Sequence, residues 1–363
     1  MQLLRILRGT LAVAATWAFL AVSFVIMLPF FLVALVCGGW SMARRWVGYP
    51  AGAWVVFPGM AAIAEWWGGS TLRVHTSSPA GAKSPDAILV PGESALVMAN
   101  HVFALDWWAI MRLGVRIRSA GWLVFLAKDS VKYIPVVGWV VAMAGVLLRR
   151  SWDLDAARLF AAFRAAGAAG QPVWLMCHPE GTRMSPAKLA ASQAWLEAQG
   201  RDQMDHVLAP RVKAVIAAVA ALHSRFAAIY DLTLAYPDGT PSIWKVACSC
   251  APDVHLHVDR IPIPVLFEQI AAAGGLDAAA VPDLFDATAS GDATAAAVIL
   301  PLMKEWVRAR WQLKERRLRE FHARGGQFDP DEARELPLPS LSQHGAFVRD
   351  GLTRTWPRQA VAQ

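Results

Sequence analysis

Charge is scarce in this chain and, over one long stretch, missing. Of 363 residues only 17% are Asp, Glu, Lys or Arg, while 56% are hydrophobic, a balance that points towards a membrane. No charged residue falls between Arg8 and Arg44, and 11–36 is almost wholly apolar, "LAVAATWAFLAVSFVIMLPFFLVALV". The run is too long for the apolar core of a secretory signal and no small-residue cleavage site follows it, so it is expected to remain as an anchor. As one helix the uncharged stretch would measure roughly 50 Å, whereas a bilayer core takes about 20 residues. Pro29 offers a bend, and Arg5 and Arg8 on one side balance Arg44 and Arg45 on the other, so the positive-inside rule selects neither end. The favoured reading is a helical hairpin dipping into the inner leaflet; the alternative is a tilted single span.

Other absences exclude functions. The four cysteines (Cys37, Cys177, Cys248, Cys250) make no secreted disulfide framework, which suits a reducing cytoplasmic compartment. Zinc fingers, RRM signatures and Lys/Arg blocks are lacking. The net charge of +7 therefore argues for an anionic membrane surface or a phosphorylated substrate, not nucleic acid. "GESAL" and "GGSTL" lack the closing glycine of a nucleophile elbow, which removes the motif a serine esterase would need. "CSCAPDVHLHVD" gathers Cys248, Cys250, His255 and His257, but its spacing misses the C-x2-C knuckle and the alternation is that of an ordinary strand. No metal or cofactor is expected, and no internal repeat is present.

What is there divides into four parts: the anchor at 1–47, an amphipathic connector at 48–70, an α/β domain at 71–325 and a loosely ordered tail at 326–363. "LRVHT", "ALVMA", "WLVFLA", "GVLL", "VWLMC", "IYDLTLAY" and "VHLHVD" read as strands. Residues 78–92 read as a loop. Helices are expected from Ser151 or Asp153 to the glycines before Pro172, after Pro210, and over 303–321. Alternation of strands with helices gives an α/β layer structure. The last of these helices carries one apolar stripe, which suits docking on its own domain better than lying on a membrane surface.

Two stretches carry chemistry. In "NHVFALDWW", His101 can serve as a general base and Asp106 can fix its tautomer, provided His101 closes a strand and Asp106 opens the following helix. Asn100 can brace the turn between them. In "CHPEGTRM", Gly181 lets backbone amides approach an anion, Thr182 adds a hydroxyl and Arg183 can grip a phosphate, while Glu180 would orient an arginine or a substrate hydroxyl. Lys128, Lys132, Arg149 and Arg150 add strand-end cations. A base without a protein nucleophile suggests that the attacking hydroxyl belongs to a substrate.

In these boxes, "NHVFALDW", "KYIPVVGW" with "GVLLRR", and "HPEGTR", the chain resembles the membrane-bound 1-acylglycerol-3-phosphate acyltransferases, or lysophospholipid acyltransferases. "SQAWL", "HVLAPRVKAV" and "AIYDLTLAY" resemble the branch with lysocardiolipin acyltransferase-like and bacterial inner-membrane members. The likeness runs over about 90–260, and more weakly to 321. It implies a mixed sheet flanked by helices, as in glycerolipid acyltransferases. It also implies acyl transfer from acyl-CoA or acyl carrier protein to lysophosphatidic acid at a bacterial inner membrane, with the catalytic domain facing the cytoplasm. His101 would deprotonate the acceptor, Asp106 would orient His101, and Glu180, Gly181, Thr182 and Arg183, with Arg150 and Lys128, would bind the substrate phosphate. Two departures stand out: His178 replaces the usual Phe before PEGTR, and Arg149 adds a charge. The competing expectations are another acceptor (lysophosphatidylglycerol, lysocardiolipin or glycerol 3-phosphate) or a membrane lipid-binding protein that keeps the site unused.

Overall fold

The computed structural model describes residues 2–43, 47–48, 55–63, 65, 70–77, 88–128, 130, 133–135, 138–139, 146–148, 172–242, 244–245, 253–336 and 338. Its centre is an eight-stranded sheet: β1 (Leu72–Thr76), β2 (Ala95–Ala99), β3 (Leu123–Lys128), β4 (Val146–Leu148), β5 (Trp174–Cys177), β6 (Ala228–Ala235), β7 (Val254–Pro262) and β8 (Arg334–Leu336). The order across the sheet is β4-β3-β5-β2-β6-β7-β1-β8. The pairs from β4 to β6 are all parallel, β6 to β7 is antiparallel, and β8 closes the edge antiparallel to β1. The expected mixed α/β sheet is present, and each of the seven quoted strand segments forms a strand.

Strands buried on both faces alternate between two cores. In β2, Ala95, Val97 and Ala99 face one side while Leu96 and Met98 face the other. The first side is covered by α2 (Phe57–Ala62) and α3 (Asp106–Arg116), the second chiefly by α5 (Lys213–Leu222), α6 (Ile263–Gly274), α7 (Val281–Ser290) and α8 (Ala293–Ala323). The remaining helices are α1 (Gln2–Ala43) and α4 (Pro186–Ala198). Met303, Val307, Trp311, Leu318 and Phe321 of α8 are buried in the second core, so this helix docks on its own domain as its stripe predicts.

Two expectations are corrected. The reversal of the anchor lies at Gly38 and Gly39, not at Pro29: α1 runs through that proline, and after the two non-helical glycines Ala43 and Val47 pack back against Phe31, beside Met27. A proline removes one main-chain hydrogen bond, which bends a long helix without reversing it. Gly9–Gly39 is long and apolar enough to cross a membrane, and little of it is buried in the protein. The second correction concerns the tail, whose residues 334–336 form β8, because β1 at the sheet edge offers free main-chain groups to a passing segment. The helix expected from Ser151 lies outside the described residues.

The connector is tied down by charge. Glu65 accepts from Arg112 Nε at 3.0 Å and from both Arg116 terminal nitrogens at 2.7 Å, while Arg112 also donates to the Ser70 hydroxyl and carbonyl. α2 also meets α1: a Cβ on Gly59 would lie 2.3 Å from Phe19 Cζ, so only glycine allows that approach.

Candidate active site

Because β2, β5 and β6 are parallel neighbours, the loops leaving their C-terminal ends converge at one sheet edge, the usual place for ligand contacts in such sheets. His101 follows β2, His178 follows β5 and Tyr236 follows β6. Lys128 closes β3 with its main chain in register with Leu148 of β4; its side chain, together with Lys132, Arg149 and Arg150, lies outside the described residues. Cys248 and Cys250 also fall outside them.

Asp106 opens α3 and is fully buried. Its Oδ2 accepts from His101 Nδ1 at 2.9 Å and from the amides of Val102 and Phe103 at 2.7 and 2.8 Å. Its Oδ1 accepts from the Tyr236 hydroxyl at 2.6 Å. Burial and the adjacent Asp106 push the Tyr236 hydroxyl well above its ordinary range, so it stays protonated and donates. A carboxylate can only accept, so Nδ1 of His101 carries the proton and Nε2 carries the lone pair. The His101 side chain is 20% exposed, so part of the imidazole is open to solvent.

Asn100 does not brace the His101 turn. Its amide donates to the Leu234 carbonyl at 3.0 Å and its oxygen accepts from the Leu234 amide at 2.7 Å, because β6 runs beside β2 and presents its main chain there. The loop after β5 is joined to the base directly, as the Met184 amide donates to the His101 carbonyl at 2.9 Å. Within it the Gly181 amide donates to His178 O, and Gly181 takes φ +67, a conformation that suits glycine. Arg183 is exposed. The Thr182 hydroxyl accepts from Lys188 Nζ, which also reaches the Arg183 carbonyl at 3.2 Å, and keeps its own O–H to donate. Lys188, in the first turn of α4, is a site cation that sequence reasoning missed, although the adjacent "SPAK" reads as a helix start.

Glu180 is buried, and neither carboxylate oxygen has a hydrogen-bond partner. The His101 amide and the Trp311 indole face it without closing to hydrogen-bond geometry, and burial pushes its carboxyl well above the usual range. The acid therefore favours its neutral form. The buried pair behind it, Asp231 and Lys314, joins β6 to α8. Among the described residues no cluster of His, Cys, Asp and Glu is placed to hold a metal. His255 instead stacks on His75, and Asp259 takes Arg310 and Arg317.

Residues 74–236 match the family model described as Acyltransferase. Mouse 1-acyl-sn-glycerol-3-phosphate acyltransferase epsilon is 28% identical over 265 residues, 69% of this chain and 63% of the relative. Brassica napus 1-acyl-sn-glycerol-3-phosphate acyltransferase 2 is 30% identical over 54% of this chain and 50% of the relative. Chicken (Gallus gallus) lysocardiolipin acyltransferase 1 is 26% identical over 66% and 57%. The chain thus spans less than two thirds of these relatives' lengths. Among solved structures, the 1-acyl-sn-glycerophosphate (LPA) acyltransferase PlsC from Thermotoga maritima aligns with a TM-score of 0.40 at 16% identity, over 71% of this chain and 87% of that one.

Proposed function

We propose that the chain moves a fatty acyl group from an acyl thioester to the free hydroxyl of lysophosphatidic acid, giving phosphatidic acid, a reading that the match of residues 74–236 to the Acyltransferase family model supports. The observation that carries this reading is the His101–Asp106 pair, with its partly exposed imidazole, joined by the Met184 amide to the loop that follows β5. His101 Nε2 takes the proton of the acceptor hydroxyl as its oxygen attacks the thioester carbon, and Asp106 stabilises the resulting imidazolium. The tetrahedral intermediate collapses, the C–S bond breaks, and the departing thiolate recovers the proton from His101. A thioester is already activated, so the chemistry needs positioning, a base and oxyanion stabilisation, with no cofactor. The donor is acyl-CoA or acyl carrier protein.

The acceptor's phosphate would lie on the Gly181–Thr182 turn within reach of Arg183 and Lys188, with Lys128 and Arg150 added from the neighbouring strand ends. The apolar α1 would place this site where lysolipid resides, at a bacterial inner membrane with the catalytic domain on the cytoplasmic side. The lysocardiolipin acyltransferase relative supports a second acceptor class; an acceptor panel would separate the two. The direct test is labelled acyl-CoA with purified wild type and H101A. Transfer is expected to fall by roughly 10²- to 10⁴-fold, and equal transfer by both proteins would reject the mechanism.

A further inference from the structure

A second imidazole lies against the base. The rings of His178 and His101 are stacked, with centroids 4.2 Å apart and planes 14° from parallel. His178 Nδ1 lies 3.1 Å from the Ala99 carbonyl and 3.0 Å from that of Asn100. Carbonyls only accept, so Nδ1 is the protonated nitrogen and Nε2 the bare one. Nε2 is shielded from solvent and has no partner. Burial, helped by the neighbouring His101, holds His178 down at about 4, so it is neutral at working pH.

This arrangement does two things to the base. It fixes the plane of the ring, since Asp106 holds only Nδ1 and leaves rotation about that bond open. It also presents a neutral π face to the imidazolium that forms during proton transfer. Both hydrogen bonds from His178 Nδ1–H run to carbonyl oxygens and draw electron density into its ring, which strengthens attraction to a cation stacked above it. The other titratable or charged groups around the pair are Asp106 and Arg112 on α3, Tyr236 after β6, and Glu180 in the loop with Lys314 of α8 behind it. None of them stacks on His101 among the described residues.

We propose that His178 is a positioning residue for acyl transfer: its neutral ring, clamped to the end of β2, fixes the plane of His101 and stabilises the imidazolium formed there. This rests on the acyltransferase reading. The proton moves from the acceptor hydroxyl to His101 Nε2 and then to the departing thiolate; His178 itself gains and loses none.

The test uses the full-length chain in detergent, comparing wild type with H178A, H178F and H178L in pH profiles of kcat and kcat/KM. A ¹⁵N NMR titration of His101 accompanies the kinetics. H178A and H178L should lose roughly 10-fold in kcat with little change in KM. Their acid limb should move to lower pH by about half a unit to one unit, because an imidazolium without a π partner is a stronger acid. H178F keeps a π face and should retain the wild-type limb. Coincident limbs for H178L and wild type, or an effect confined to KM, would overturn the proposal. If H178A fails to fold, H178L against H178F makes the same comparison at similar bulk. If wild type transfers nothing, the acyltransferase reading falls, and the NMR titration still decides the stack: equal His101 midpoints in H178L and wild type would reject it.

Discussion

At the scale of single residues, the site is a matter of matching donors to acceptors. Four hydrogen bonds converge on Asp106, about as many as a carboxylate can accept, so its geometry is over-determined and His101 has one tautomer. Glu180 is the opposite case, buried with both oxygens unpaired. A carboxyl whose folded pKa is raised contributes stability that is complete below the unfolded value of about 4.3 and is lost as pH rises towards the folded value. Glu180→Gln is therefore expected to raise the thermal midpoint near pH 7–8 by a few degrees, with the gain vanishing towards pH 4, while acceptor KM rises; melts across that pH range check it. The five-residue spacing of His101 and Asp106 was legible because strand end, loop and first helical turn are local. Tyr236 and Trp311 were not, because long-range packing brings them to the site, whereas Lys188 reaches Thr182 from six residues along the chain. Trp108 also finds a role there, its indole donating to the Met60 carbonyl at 3.1 Å and fastening α3 to α2.

At the scale of elements, α8 departs most from its sequence pattern. The apolar stripe faces the core as expected, yet Lys314, Glu315 and Arg317, which belong to the helix's charged complement, are buried as well. For Lys314 and Arg317 the reason lies in β6 and β7, whose alternation turns Asp231 and Asp259 towards this helix, while Glu315 accepts from the His206 amide and ring. Arg310 Nε donates to Asp231 at 2.6 Å, Arg317 to Asp259 at 2.7 Å, and Lys314 to the Leu232 carbonyl at 2.6 Å as well as to Asp231. Burial alone would raise Asp231, but Lys314 and Arg310 outweigh it and hold it low. Breaking one side of such a pair leaves an uncompensated buried charge. Lys314→Met should destabilise by about 3 kcal/mol, the low end of the usual range because Arg310 keeps the other oxygen. Adding Asp231→Asn should recover part of that loss in a double-mutant cycle. Denaturant unfolding in detergent measures it, and an unchanged midpoint in the single variant would show that the pair is not coupled to stability.

At the scale of the whole molecule, two cores on one mixed sheet carry an apolar helix that the protein scarcely covers. The chain doubles back after Gly38 and Gly39, with Val47 beside Phe31 and Gly59 beside Phe19, so Leu3 is expected on the same side of a bilayer as the catalytic domain. A cysteine at Leu3 should react with an impermeant maleimide from the face of the catalytic domain, and labelling from the opposite face would restore the single span. By itself the sequence determined the long apolar N-terminal helix, seven strands, the pairing of His101 with Asp106 and the glycine turn, since each is written in local periodicity or short spacing. Only the tertiary structure decided that the anchor turns at Gly38 and Gly39 and not at Pro29, that 334–336 closes the sheet, that Asn100 clamps β6 and that His178 lies flat on His101. Those outcomes depend on which strands become neighbours, and adjacency in a sheet is fixed by packing over distances that no local pattern encodes.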